Sequence, residues 1–88
     1  MEPLFIASLI ASLQAPLSPA VVNRLVKCDD QLSHQQTSIE KTKFWQCIDR
    51  IGVDRALVTD CRDKNLTVPY WEATRQERKA YRECFKQS

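Results

Sequence analysis

Eighty-eight residues make one small domain, and a composition of 43% hydrophobic and 27% charged residues excludes intrinsic disorder. Thirteen basic and eleven acidic residues, interspersed along the chain, give a net charge of +2 and no electrostatic footprint for nucleic acid. A single glycine and the absence of any Asn-Gly dipeptide exclude a sheet built from tight hairpins, so the composition predicts an all-α chain.

The first predicted element is an uncharged run at residues 4–13, LFIASLIASL. Glu2 stands where a secretory signal needs a basic start, and Leu13 stands where its cleavage site needs a small residue. The run is also too short to span a bilayer, and no Arg-rich amphipathic presequence is visible. The expectation is a retained docking segment over residues 1–18. Its Leu4, Phe5, Ile6, Leu9 and Ile10 would contact the chain's own core, a partner groove or the membrane interface.

Residues 19–88 form the second predicted unit. Ser18 followed by Pro19 has the form of an N-cap with proline at the first helical position. The spacing of Val21, Leu25, Cys28 and Leu32 predicts a helix over residues 20–35. The polar stretch SHQQTS interrupts it, and Thr37 with Glu40 then forms a capping-box pattern. Phe44, Cys47, Ile48 and Ile51 make one apolar face of the following helix. Gly52 is placed to end it in the left-handed conformation. Asp54 caps a further helix bearing Leu57, Val58 and Cys61, which ends near Asn65. A last helix is expected over residues 70–86, with Thr67 as its cap and Pro69 in its first turn.

Cysteines at 28, 47, 61 and 84 allow three disulfide pairings. Zinc favours closely spaced ligand pairs, whereas the nearest cysteines here are fourteen apart and His34 is the sole histidine. A redox pair would be Cys-x-x-Cys, which does not occur. Free buried thiols remain the bland alternative to bonding. A corner at Gly52 makes the helices of Cys47 and Cys61 neighbours. At about 1.5 Å per residue, Cys28 lies roughly 28 Å before Cys47 and Cys84 roughly 34 Å after Cys61. These lengths favour a nested pairing, Cys47–Cys61 inside Cys28–Cys84.

FWQCID, with thirteen residues separating its Cys47 from Cys61, resembles the twin Cys-x9-Cys, or coiled-coil-helix-coiled-coil-helix, family. The nearest likenesses are its cytochrome c oxidase subunit VIb members and assembly factors, through the aromatic pair before Cys47 and the segment VPYWEATRQERKAYREC. The small hairpin subunits of complex I are similar through CIDRIG. The likeness spans residues 37–84. The family's outer cysteines would fall near Thr37 and Glu72, so Cys28 and Cys84 read as a displaced outer bridge.

The resemblance implies a disulfide-stapled antiparallel helical hairpin in the mitochondrial intermembrane space, peripheral to the inner membrane and trapped there by oxidative folding. It also implies that Phe44, Trp45, Ile48 and Ile51 dock on the import oxidoreductase, or simply form the hairpin core. The expected role is a non-catalytic accessory subunit of a respiratory-chain complex, cytochrome c oxidase first and complex I second. Tyr70 and Trp71 would serve with the N-terminal run as anchors on neighbouring subunits. The alternative is a soluble assembly factor or metallochaperone of the same fold.

No enzymatic constellation, cofactor, metal or small-molecule substrate is expected. One glycine cannot build a phosphate loop, and His34, inside a polar run, reads as a solvated side chain. The carboxylates fall at helix starts or beside basic residues, where caps and i,i+4 pairs account for them. The basic excess of RQERKAYRECFK reads as a solvated face, or as a contact for lipid headgroups or an acidic partner.

Overall fold

The computed structural model describes residues 16–87, and each of the four α-helices in that span begins at a side chain that caps it. α1 is Pro19–Lys27, with the Ser18 hydroxyl accepting from the Val21 amide. α2 is Ser38–Ile51, where Thr37 and Glu40 form the reciprocal capping box. α3 is Arg55–Asn65, capped by Asp54. α4 is Arg75–Gln87. Short 3-10 turns occupy Cys28–Gln31 and Tyr70–Glu72, and the described residues contain no strand. The expected all-α, disulfide-stapled class therefore holds; the N-terminal run at residues 4–13 lies outside the described residues.

Two helix boundaries differ from the sequence reading. α1 stops at Lys27 instead of continuing to residue 35, because Cys28 is tied to α2 and Asp29 is drawn inward by partners from distant segments. The chain then passes through Gln36, whose φ of 50° marks the break before α2. The last helix starts at Arg75, not at residue 70. Thr74 and Glu77 make a second capping box, with the Thr74 amide donating to Oε1 of Glu77 at 2.9 Å and the Glu77 amide donating to Oγ1 of Thr74 at 3.1 Å. Thr74-x-x-Glu77 repeats the spacing of Thr37-x-x-Glu40, a signal the sequence reading passed over in favour of Thr67 and Pro69.

The disulfides differ too. Cys28 is bonded to Cys47 and Cys61 to Cys84, with Cα–Cα distances of 5.6 and 5.8 Å, so the nested pairing is corrected to two consecutive links. Each link closes on the next helix in the chain rather than across the Gly52 corner. Register explains this. Cys47 lies five residues before Gly52 and Cys61 nine after it. Along two antiparallel helices that leaves them about 6 Å out of step, and disulfide geometry tolerates little displacement of this kind. α2 packs chiefly on the Cys28–Gln31 turn and on α1, while α3 packs chiefly on α4.

These two stapled halves share one core. Val22 and Leu25 of α1, Phe44 and Ile48 of α2, Val58 of α3, and Tyr81 and Phe85 of α4 are buried together. At the corner, Gly52 adopts φ 87°, and its amide bonds to the carbonyls of Ile48 and Asp49. Across that corner the Arg55 guanidinium grips the Asp49 carboxylate at 2.9 and 2.6 Å and lies 5.4 Å from the centre of the Trp45 ring. A Cβ at position 52 would meet nothing within 4 Å. Gly52→Ala is therefore expected to cost only the left-handed backbone penalty, about 1–2 kcal/mol in a urea melt, with Gly52→Asn costing less.

Candidate functional site

The candidate site is a rigid surface built over a buried ion pair. Asp29 is fully buried in the 3-10 turn after α1, and Arg62 of α3 approaches it with one guanidinium nitrogen 2.8 Å from both carboxylate oxygens. Asp29 directly follows the bonded Cys28, and Arg62 directly follows the bonded Cys61. The disulfides brace each half internally, and this pair joins one half to the other.

The remaining Asp29 contacts recruit the segment before α4. Its Oδ2 accepts from the Tyr70 amide at 2.8 Å, and its carbonyl accepts from Nε1 of Trp71 at 3.2 Å. That indole N–H also reaches the Leu32 carbonyl at 3.1 Å. From the other side, Arg78 donates to the carbonyls of Tyr70 (2.9 Å) and Trp71 (2.6 Å), and lies 5.6 Å from the centre of the Tyr70 ring. Arg82 donates to the Tyr70 hydroxyl at 3.4 Å and to Asn23 of α1.

Burial pushes the Asp29 carboxyl above its ordinary value; the Arg62 charge, and then the Tyr70 amide, pull it part of the way back. Burial, the largest single influence, acts to lower the Arg62 guanidinium, but the charge and hydrogen bonding of Asp29, with a smaller contribution from Tyr81, together outweigh it and the net direction is up. The Arg62 guanidinium also lies 4.7 Å from the centre of the Phe44 ring and 5.8 Å from that of Tyr81, so its apolar faces are covered by aromatics. The Tyr81 hydroxyl is buried and makes no well-formed hydrogen bond among the described residues. Burial raises its pKa, an effect partly offset by Arg62.

Of the residues singled out from sequence, Tyr70 and Trp71 fall together at this site. Tyr70 is half-buried, whereas Trp71 is 46% exposed although its N–H is fixed on two carbonyls. Phe44 and Ile48 are buried in the core, and Trp45 and Ile51 are half-buried beside them. All four cysteines are consumed in bonds. Leu4, Phe5, Ile6, Leu9 and Ile10 lie outside the described residues. Asp29 and Arg62 were not singled out; the available signal was a charged residue immediately after each of two cysteines on opposite arms.

His34, at the edge of the site, is exposed, and its Nδ1 lies 2.9 Å from the Glu72 carboxylate. The hydrogen bond to Glu72, and then its charge, raise the His34 pKa above 6.5. A raised folded pKa means that the protonated ring is favoured by folding. Its contribution is complete below about pH 6.5 and is lost as pH rises through the folded value. Melting temperatures of the wild type and His34→Gln should therefore separate at pH 5.5 and converge in mildly alkaline buffer.

No protein-family model, no curated protein and no solved structure matches the chain.

Proposed function

We propose that the chain is a non-catalytic scaffold subunit, held at the intermembrane-space face of a mitochondrial respiratory-chain complex, with cytochrome c oxidase the first choice and complex I the second. The observation that carries this reading is the covalent bracing of an all-α chain by two disulfides. That bracing suits an oxidising compartment and a protein whose work is to hold a shape. The resemblance of FWQCID and the following Cys61 to the coiled-coil-helix-coiled-coil-helix family supports the compartment. Two disulfides linking helices fit a stapled helical hairpin of that kind, with the links consecutive where nested ones were expected.

Trp71 is the contact we assign to a neighbouring subunit. Its indole N–H is fixed from below, so the exposed ring loses little conformational freedom on binding, as buried aromatic anchors require. Phe44, Trp45, Ile48 and Ile51 would meet the import oxidoreductase before folding, since Phe44 and Ile48 are enclosed afterwards.

The test is purification of the inner-membrane complexes in mild detergent. The chain should co-purify in stoichiometric amount, and Trp71→Ala should detach it while leaving its helical circular dichroism intact. Recovery only as a free monomer overturns the reading. Substoichiometric recovery with reducible thiols or bound metal would favour the assembly-factor or metallochaperone alternative.

A further inference from the structure

We propose that Cys47 is a thiol-exchange site, at which a small anionic thiol of the glutathione class opens the Cys28–Cys47 link while Cys61–Cys84 stays closed. The two sulfurs of each link differ in access. Cys28 and Cys61 are fully buried, whereas Cys47 and Cys84 are half-buried. Exchange begins with a thiolate reaching one sulfur, so each link offers a single target. Cys47 lies in an open groove of about 330 Å³, lined also by Gln31 of the 3-10 turn and by Lys43, Gln46 and Arg50 of α2.

Charge separates the two targets. Lys43 and Arg50 stand four residues before Cys47 and three after it, one turn to either side on the same helix face. Both are exposed, and neither enters an ion pair among the described residues. The matching positions around Cys84 hold the uncharged Ala80 and Gln87, and Glu83 adjoins it. Cations beside a reacting sulfur favour the thiolate, and they also attract a thiol that carries carboxylates. The disulfide itself fixes the ligand class, since other anions gather at the cations without cleaving the bond.

The step is an exchange. The incoming thiolate's electron pair forms a bond to Sγ of Cys47 as the Cys28–Cys47 bond breaks. The departing pair stays on Sγ of Cys28, which takes a proton from solvent. That S–H then has an acceptor in the Arg24 carbonyl, whose oxygen is 3.8 Å away. One sulfur–sulfur bond is lost and one is made, with no external oxidant. Cys28 directly precedes Asp29, whose carbonyl, with that of Leu32, receives the Trp71 indole N–H. Opening this link frees that turn from α2, so thiolation loosens the support beneath Trp71.

This adds redox control to the contact assigned to Trp71 and rests on that reading for its consequence alone; the chemistry is tested on the isolated chain. The oxidised full chain is exposed briefly to excess glutathione, quenched in acid, alkylated and mapped. The first product should carry glutathione on Cys47 and an alkylated Cys28, with Cys61–Cys84 intact. First opening at Cys61–Cys84, or equal opening of both links, overturns the proposal. Rates are divided by those on the urea-unfolded oxidised chain, which removes the intrinsic reactivity of each thiol. So corrected, the cationic thiol cysteamine should react more slowly than glutathione. Lys43→Gln with Arg50→Gln should slow glutathione about seven-fold at low salt, since a cation within roughly 7 Å of a unit charge is worth about 2.7-fold in water. Lys43→Arg with Arg50→Lys should keep the wild-type rate. Equal corrected rates for the two thiols overturn the role given to the groove, even if a variant fails to fold. In the adduct, amides of residues 28–32 and 70–71 should exchange faster than in the oxidised chain; unchanged protection overturns the link to Trp71. None of these outcomes bears on co-purification, so the subunit reading stands or falls separately.

Discussion

Arg62→Met is expected to destabilise the fold by about 3–5 kcal/mol, because it leaves the Asp29 carboxylate buried without its counter-charge. The loss reflects abandonment of a charge more than the worth of the pair, and this can be separated by a second substitution. Asp29→Asn removes the charge while its side-chain oxygen still accepts from the Tyr70 amide. Asp29→Asn combined with Arg62→Met should therefore be more stable than Arg62→Met alone in urea unfolding. A double variant at or below the stability of the single one would show that Arg62 acts through packing on Phe44 and Tyr81 instead.

The same deficit should depend on pH in a defined direction. Burial already raises the Asp29 carboxyl above 3.8 with Arg62 present. A group whose folded pKa is raised contributes stability below its unfolded value, and that contribution is lost as pH rises through the folded value. Without the guanidinium the folded value climbs further, so acid protonates Asp29 and relieves the unpaired charge. The gap between wild type and Arg62→Met should thus narrow on moving from neutral to acid pH.

Reduction is the second large perturbation. The links span 19 and 23 residues. In the chain-entropy picture each stabilises the fold by about 3 kcal/mol. Together they amount to about 6 kcal/mol, comparable with the whole stability of many domains of this size. Complete reduction should consequently unfold most of the chain at 37 °C, seen as loss of helical circular dichroism. Cys61→Ala with Cys84→Ala should retain the Cys28–Cys47 half with a melt lower by one link's worth. A non-reducing peptide map must show Cys28 with Cys47 and Cys61 with Cys84. Peptides joining Cys47 to Cys61 would overturn this architecture.

Local signals in the chain were sufficient for the helix content, the caps at Ser18, Thr37 and Asp54, and the left-handed end at Gly52. Each of these depends on residues within a turn of one another, so propensity and hydrogen-bond geometry decide them without help from the rest of the molecule. The Thr74 cap was equally local and was missed only because Pro69 offered a competing start. The disulfide partners were not local. Choosing them required knowing that α2 turns toward α1 and α3 toward α4, which the apolar stripes allow but do not dictate.

The amino-acid sequence by itself therefore determined an all-α chain with its helix starts, its corner and its four cysteines on apolar faces. Only the tertiary structure decided which sulfurs meet, why α1 stops at Lys27, and why Asp29 and Arg62 are the joint beneath Trp71. Partners 33 to 42 residues apart along the chain must be brought together by packing before their charges and N–H groups can act. No short-range rule carries that information.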